Sequence, residues 1–352
     1  MAIQICLFNH KGGVSKTTTA FNLGWMMASK GKKVLLVDCD PQCNLTGMVL
    51  GFKGASELEK FYRKKQNQNI RDGLAPAFES RPTSIEPIKC VPVQGEDNLF
   101  LLPGHIGLAE YEVTLGIAQE LSGSLLTLKN LPGSVRFLLH KTAEKISADY
   151  ILVDMSPSLG PLNQNLLATS EFFIVPMNPD YFSVMSIDSL AAVLPRWKAW
   201  SDAAQKSKVL KEANYPFPKV SPKFMGIIIQ KYRPRGGGAP AKAFQAWIDE
   251  IGRGVADKLV PALSSAKMML PRARYEKAKV GKDYVLAQMG DFNSLIAKSQ
   301  KHSTPIFLLS DEQLGQGGIV LARIKVSMLS FRRLFSAAAD HVIAMGEYAD
   351  RT

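Results

Sequence analysis

The sequence is poor in the residues and runs that mark several large protein classes. It contains 4 Cys and 5 His in 352 residues, with no C-x-x-C pair, no H-E-x-x-H and no G-x-S-x-G. No apolar run approaches the roughly 20 residues that a membrane helix requires. These absences give no support to a cysteine-bound zinc or iron–sulfur site, to a metalloprotease or serine-hydrolase motif, or to a membrane-spanning protein.

The first residues of the sequence do not have the pattern of an export signal. The chain begins directly on an apolar strand, without the basic and then hydrophobic segment of a secreted protein. Cys6 and Cys39 fall at strand positions, where a buried reduced thiol is the expected state. We therefore predict a reducing, cytoplasmic location.

Short apolar runs that end in turn-forming residues recur along the chain, as in buried parallel strands. They cover residues 3–8, 33–38, 98–102, 150–154, 172–175 and 224–229. Residues 17–30, between the first two runs, have a helical pattern that Gly31 ends. Because a strand–helix–strand unit forms a right-handed crossover, we expect a doubly wound, mostly parallel α/β sheet flanked by helices. We predict a single domain over 1–352, with insertions near 51–98 and 200–262.

The positive charge is concentrated in one part of the chain. The net charge is +12, and residues 196–282 contain 19 Lys and Arg against 6 Asp and Glu, so the rest of the chain is close to neutral. Such a distribution is typical of a surface that binds a polyanion. On charge alone, a solvated basic face that keeps the protein soluble explains it equally well.

A phosphate-binding loop is indicated at residues 7–20, LFNHKGGVSKTTTA, although the segment departs from the common pattern G-x-x-x-x-G-K-[ST]. When the pattern is aligned on Lys16 and Thr17, His10 and Ser15 stand where glycines are expected. His10 precedes the tight part of the loop and is tolerable there. Ser15 is the more awkward departure, because that position usually benefits from having no side chain.

The segment nevertheless has the parts that hold a phosphate. Gly12 and Gly13 lie between strand and helix, where the backbone must curl around an anion and present its N–H groups. Lys16 can reach the β- and γ-phosphates, and the Thr17 hydroxyl can complete a magnesium shell.

Carboxylates follow two of the predicted strands. Asp154 ends YILVD, and Asp38 and Asp40 follow KVLLV. Ligands of open α/β sheets bind beyond the carboxyl ends of the strands, so these groups should meet the loop in one crevice. An Asp after a strand is often only a turn former, but the combination with the loop predicts a magnesium nucleotide site.

Several segments together resemble the ParA/MinD family of deviant Walker A ATPases, and most closely its short ParA/Soj branch. KGGVSKTT resembles the family's K-G-G-x-x-K-[TS]-T motif, VLLVDCDPQCNLTG its switch segment, and DYILVDMSPSLGPLNQNLL its Walker B segment. The resemblance implies ATP and Mg²⁺ as ligands. It implies nucleotide binding by Lys11, Gly12, Gly13, Val14, Ser15, Lys16, Thr17 and Thr18, adenine contacts from Gln230, Pro271 and Arg272, and magnesium binding by Thr17, Asp38 and Asp154.

The same resemblance implies roles in catalysis and assembly. Lys11 would reach across a homodimer interface to the partner's nucleotide, and Lys16 and Asp40 would act in hydrolysis, with Asp40 orienting the attacking water. A lysine supplied in trans makes dimerisation depend on the triphosphate. A solvated loop charge is the alternative for Lys11.

The family resemblance also favours the polyanion interpretation of the basic half. It implies an ATP-dependent dimer that binds DNA without sequence preference, associates with the nucleoid and is stimulated by a ParB-like or other cargo adaptor. The DNA-binding candidates are Arg233, Arg235, Arg272, Arg274, Lys277, Lys279 and Lys282. The expected function is partition or positioning of DNA or another large cargo.

Two other functions remain open as alternatives. A MinD-like positioning ATPase would bind membranes through an amphipathic helix, for which residues 327–345 are the candidate. The polar, mildly acidic residues that follow argue against binding to anionic lipid. A metabolic P-loop enzyme or an electron-donating ATPase would be the third class, and the latter needs cluster-ligating cysteines that the sequence does not offer.

Overall fold

The computed structural model describes residues 1–52, 54–121, 128–233 and 240–347. Within these residues eight strands form one sheet in the order β3–β4–β2–β5–β1–β6–β7–β8. The strands are β1 (Ile3–Leu7), β2 (Val34–Asp38), β3 (Val91–Pro92), β4 (Leu99–Leu102), β5 (Tyr150–Asp154), β6 (Phe172–Met177), β7 (Lys223–Tyr232) and β8 (Val285–Gly290). All neighbouring pairs are parallel except β3 with β4.

The central strands are apolar on both faces because helices cover both sides of the sheet. Ile5 and Leu7 of β1 point into one core, whereas Cys6 of the same strand and Leu35 of β2 point into the other. This alternation follows from the two-residue period of a strand. The four cysteines are free and buried, as expected for reduced thiols.

Helices occupy two layers. The layer on the Ile5 side contains α1 (Lys16–Ser29), α2 (Asn44–Leu50), α12 (Arg272–Lys277), α13 (Leu295–His302), α14 (Asp311–Leu314) and α15 (Gly318–Gly346). The opposite layer contains α4 (Ile70–Phe78), α5 (Leu108–Leu121), α6 (Leu131–Lys145), α7 (Pro161–Ala168), α8 (Tyr181–Lys206), α10 (Lys242–Gly254) and α11 (Val260–Ser265). The remaining helices are α3 (Ala55–Lys64), α9 (Lys208–Lys211) and a π-helical segment, Val255–Leu259, between α10 and α11.

The predicted fold class is confirmed. The six predicted strands are present with ends that shift by up to three residues, and the helix predicted at 17–30 is α1. The sequence analysis missed β3 and β8. The region near 51–98 contains α3, α4 and β3, and the region near 200–262 includes β7, which lies inside the sheet between β6 and β8.

The long helix α15 closes the described part of the chain. Within residues 327–345, the candidate membrane-binding segment, Phe331, Phe335 and Val342 are buried in the same hydrophobic core as α1. Across the described ranges, no helix combines the length and the apolar character that crossing a bilayer would take.

Candidate nucleotide site

The phosphate loop connects β1, in the middle of the sheet, with α1. Gly13 and Ser15 both adopt left-handed backbone conformations, with φ of 76° and 59°. A Cβ added to Gly13 would meet no atom within 4 Å, so glycine is favoured there by its conformation and not by space. Ser15 pays a conformational cost of about 1 kcal/mol for the same geometry. The loop therefore keeps the tight turn of a phosphate loop even though its second glycine is replaced.

Lys16 lies inside this loop. Its ammonium donates hydrogen bonds to the carbonyl oxygens of Asn9 at 2.9 Å and Lys11 at 3.2 Å, and the residue is buried. Burial lowers the pKa of Lys16, and the nearby charges of Asp154 and Asp40 oppose that shift. The first turn of α1 thus holds a desolvated cation next to two carboxylates.

The carboxylates that the sequence singled out meet at the carboxyl ends of β2 and β5. Asp38 and Asp154 are paired in register across these strands. Both oxygens of Asp154 are buried and have no hydrogen-bond partner among the described residues. Burial raises the pKa of Asp154 to about 8, the charge of Asp38 adds to the rise, and the neighbouring Thr17 and Lys16 oppose it.

The surroundings of Asp154 are suitable for binding a divalent cation. A buried carboxylate with no donor is costly unless a counter-charge approaches it. Mg²⁺ binds proteins through one or two carboxylates and completes its shell with substrate phosphates and water. Asp154 beside Thr17 and the phosphate loop fits such an ion.

Asp38 has different surroundings. Its carboxylate accepts hydrogen bonds from the Thr46 N–H at 2.7 Å, the Thr46 hydroxyl at 2.6 Å and the Asp40 N–H at 3.2 Å. The Thr46 hydroxyl in turn accepts from the Gly104 N–H, and a Cβ on Gly104 would lie 2.9 Å from Cγ of Asp38. Burial raises the pKa of Asp38 to about 6, against these hydrogen bonds. Asp38 therefore ties α2 and the loop after β4 to the end of β2, and its part in a magnesium shell stays a prediction.

Asp40 lies in the turn between β2 and α2. It is buried, and its Oδ1 accepts a hydrogen bond from the Gln42 N–H at 2.9 Å. Its charge acts on both Lys16 and Asp154. The structure thus brings Lys16, Asp40 and Asp154 together as the sequence analysis expected.

Lys11 contacts its own chain. Its ammonium donates to both carboxylate oxygens of Asp180, donates to the Ser183 hydroxyl at 3.3 Å, and lies 5.6 Å from the ring centroid of Phe182. The Lys11 N–H donates to Oδ1 of Asn9 at 2.9 Å. Lys11 is therefore not a freely solvated loop charge in this conformation.

Two contacts to the phosphate loop were missed. The carbonyl oxygen of Gly13 accepts from Nζ of Lys231 at 2.8 Å and from Nδ2 of Asn178 at 3.2 Å. Lys231 is the ninth residue of β7, and Asn178 follows β6 directly. Their position at the carboxyl ends of strands is the one signal in the sequence that could have indicated them.

The adenine candidates do not come together. Gln230 is fully buried, and its Nε2 donates to the Thr19 hydroxyl at 2.7 Å. Pro271 and Arg272 lie near the amino ends of the strands, at the opposite end from the phosphate loop. The segment that precedes them meets the start of β7, where the Phe224 N–H donates to the Met268 carbonyl oxygen at 2.8 Å. The turn after β8, where the Asp291 N–H bonds the Tyr232 carbonyl oxygen, is what lies at the carboxyl end of β7.

The DNA-binding candidates are likewise divided between the carboxyl ends and the amino ends of the strands. Arg233 is exposed just after β7, at the same end as the phosphate loop, and Arg235 lies outside the described residues. The others lie in or just after α12, at the opposite end, where Lys277, Lys279 and Lys282 are exposed. Arg272 contacts Glu276 and the carbonyl oxygens of Val280 and Gly281 there, and Arg274 is half-buried.

The sequence is similar to known protein families and to individual proteins. A family model described as AAA domain matches residues 2–203. The uncharacterized protein MJECL24 of Methanocaldococcus jannaschii is 32% identical over 232 residues, which are 65% of this chain and 73% of that protein.

Two partition proteins are similar over a shorter share of their length. The chromosome-partitioning ATPase Soj of Thermus thermophilus is 32% identical over 196 residues, 56% of this chain and 63% of that one. The sporulation initiation inhibitor protein Soj of Bacillus subtilis is 34% identical over 186 residues, 53% and 62% of the two chains. This chain therefore spans less than two thirds of either Soj protein.

Solved structures share the fold at low identity. Protein DIP2308 of Corynebacterium diphtheriae has a TM-score of 0.58 at 22% identity, covering 81% of this chain and 92% of its own. A pNOB8 ParA structure, solved with nonspecific DNA, has a TM-score of 0.55 at 16% identity and covers 99% of both chains. At these identities the likeness extends to the fold alone.

Proposed function

The chain belongs to the ParA/MinD-like family of P-loop ATPases, and from this we propose that it is a magnesium-dependent ATPase whose ATP-bound homodimer binds DNA without sequence preference. The observation that carries the proposal is the convergence of Lys16, Asp40 and Asp154 on one phosphate loop. Hydrolysis would release the DNA, and a partner protein would stimulate it. The activity would serve partition or positioning of DNA or another large cargo.

Binding of the nucleotide is assigned to the loop and the start of α1. The N–H groups of Gly12 to Thr18 would face the phosphates, favoured by the positive end of the helix. Lys16 would exchange its bonds with the Asn9 and Lys11 carbonyl oxygens for phosphate oxygens. Thr17 and Asp154 would hold Mg²⁺, which neutralises phosphate charge when it is bound.

Hydrolysis in such a site depends on positioning and electrostatics. Asp40 would accept a hydrogen bond from the attacking water, because it is a buried carboxylate within electrostatic reach of Lys16. Asp38 would act indirectly, by holding α2 and therefore the Asp40 turn in place through Thr46. We expect a slow basal rate that the partner protein raises.

DNA binding is assigned to the exposed lysines at the end of α12 and just after it, which belong to the basic part of the chain. Contacts of this kind release counterions and are strongly sensitive to salt. The relative solved with nonspecific DNA supports the proposal at the level of fold. The membrane-binding alternative gains no support, because the apolar side chains at 331, 335 and 342 are buried.

The decisive experiment measures binding of a nonspecific DNA duplex with ADP, with ATP and with a non-hydrolysable ATP analogue, at 50 and 200 mM salt. We expect binding with ATP and the analogue, weak binding with ADP, and a loss of affinity of about tenfold or more at the higher salt. Liposomes of anionic lipid are the parallel sample. Nucleotide-dependent sedimentation with liposomes but not with DNA would reverse the assignment.

A further inference from the structure

The ammonium of Lys11 is surrounded by side chains at the start of α8. The side chain of Lys11 is 17% exposed, and that of its partner Asp180 is 38% exposed. The Ser183 hydroxyl and the Phe182 ring complete the surroundings. A lysine with these partners is held within its own subunit.

Asp180 is itself fixed. It is the N-cap of α8, a helix of 26 residues, and its Oδ1 accepts from the Ser183 N–H at 2.8 Å. A carboxylate at this position is also favoured by the helix dipole. Asp180 therefore cannot follow Lys11 to another position without uncapping the helix, so any movement of Lys11 toward a partner must break the ion pair.

We propose that Asp180 is a positioning residue that holds Lys11 in cis and so sets the threshold for ATP-dependent dimerisation. The inference rests on the proposed function, in which Lys11 serves the partner's nucleotide. A single carboxylate loses the competition for Lys11 to a triphosphate and competes better with a diphosphate. Each subunit of a dimer has one such contact, so the contact acts twice on the dimer equilibrium.

The substitution Asp180→Asn removes the negative charge of this residue and keeps its role as the N-cap of α8. Asparagine caps a helix as well as aspartate does, so α8 should keep its start while Lys11 loses its counter-charge. Asp188→Asn is the matched control: Asp188 lies on the same helix, is similarly exposed, and pairs with Lys258 at 2.6 Å instead of with Lys11. Thermal unfolding of both variants checks that the helix is intact.

The measurement is the dimer dissociation constant by analytical ultracentrifugation with a non-hydrolysable ATP analogue and with ADP. We expect Asp180→Asn to lower that constant about tenfold with the analogue, as loss of one partly exposed ion pair per subunit allows, while the affinity of the monomer for the analogue is unchanged. Asp188→Asn should match the wild type. In a Lys11→Ala background, which should not dimerise, Asp180→Asn should not restore a dimer.

The outcomes separate this inference from the proposed function. If the wild type and both single variants remain monomeric with the analogue at every concentration, the proposed dimer is wrong. If the wild type dimerises and Lys11→Ala does not, but Asp180→Asn leaves the constant unchanged or raises it, the dimer stands and the role of Asp180 is overturned. An effect of Asp180→Asn that persists without Lys11 would equally overturn it.

Discussion

Asp38 and Asp154 are paired across β2 and β5, yet one carboxylate accepts three hydrogen bonds and the other accepts none among the described residues. The two strands therefore end in groups with different tasks. Asp38 stabilises the turn that leads to α2. The carboxylate of Asp154 has no such donor among the described residues, and we propose that Mg²⁺ supplies its counter-charge.

Replacing Asp154 with asparagine should stabilise the nucleotide-free protein. The pKa of Asp154 is about 8 in the folded state, above the 3.8 of an unperturbed Asp. The folded protein thus binds the proton more tightly than the unfolded chain, and this residue's contribution to stability is lost as the pH rises from about 4 to about 8. At pH 8 we expect Asp154→Asn to raise the free energy of unfolding by about 2 kcal/mol, with a smaller gain near pH 5.

Denaturant unfolding at both pH values, without nucleotide, checks this expectation. The same variant should lose magnesium-dependent nucleotide binding. An equal stability change at both pH values would show that the carboxylate does not titrate as its surroundings require.

Removing the Lys16 ammonium should abolish nucleotide binding. Lys16→Ala takes away the cation beside Asp40 and Asp154, so we expect the affinity for ATP to fall at least about 100-fold. Titration calorimetry with ATP and Mg²⁺ measures this. Lys30→Ala is the control, because Lys30 closes the same helix and pairs with Asp340 far from the loop. ATP binding by Lys16→Ala at wild-type strength would exclude the loop as the nucleotide site.

Loss of the Asp40 carboxylate should separate binding from hydrolysis. Asp40→Ala should bind ATP and persist as a dimer, with a turnover rate at least about 100-fold lower than that of the wild type. A phosphate-release assay alongside sedimentation gives both quantities. Turnover at the wild-type rate would remove Asp40 from the mechanism.

The lysines at the end of α12 and just after it should account for part of the salt dependence of DNA binding. Changing Lys277, Lys279 and Lys282 together to alanine should reduce the slope of log affinity against log salt by about 3. The matched control changes the exposed Lys60 and Lys64 of α3 and Lys65, its C-cap, which removes the same charge elsewhere. If both triple variants lower the slope equally, only the net charge matters and the assigned surface is wrong.

Much of the nucleotide site could be predicted because it depends on local pattern. Residues 11–18 form the turn after β1 and the first residues of α1, and the apolar residues on each side specify both elements. The convergence of Asp38 and Asp154 followed from a rule of topology, that parallel strands end at the same edge. No long-range contact had to be known for either inference.

Strand assignment was harder in the last third of the chain. The family resemblance assigned adenine contacts to Pro271 and Arg272, but the strand that pairs with β7 is β8, which begins at Val285. Short segments such as VLAQMG have a mixed pattern, and their pairing partner is chosen by packing against α15. This is why Pro271 and Arg272 lie away from the carboxyl end of β7 and from the phosphate loop.

By itself the amino-acid sequence determined the parallel sheet, the phosphate loop and the acidic ends of β2 and β5, because each is specified by residues close together in the chain. Only the tertiary structure decided that Gln230 is buried behind α1, that Lys231 reaches the loop, and that Asp180 holds Lys11. These contacts join residues at least 169 positions apart. Side chains so distant in sequence are brought together by the packing of whole elements, which no local pattern encodes.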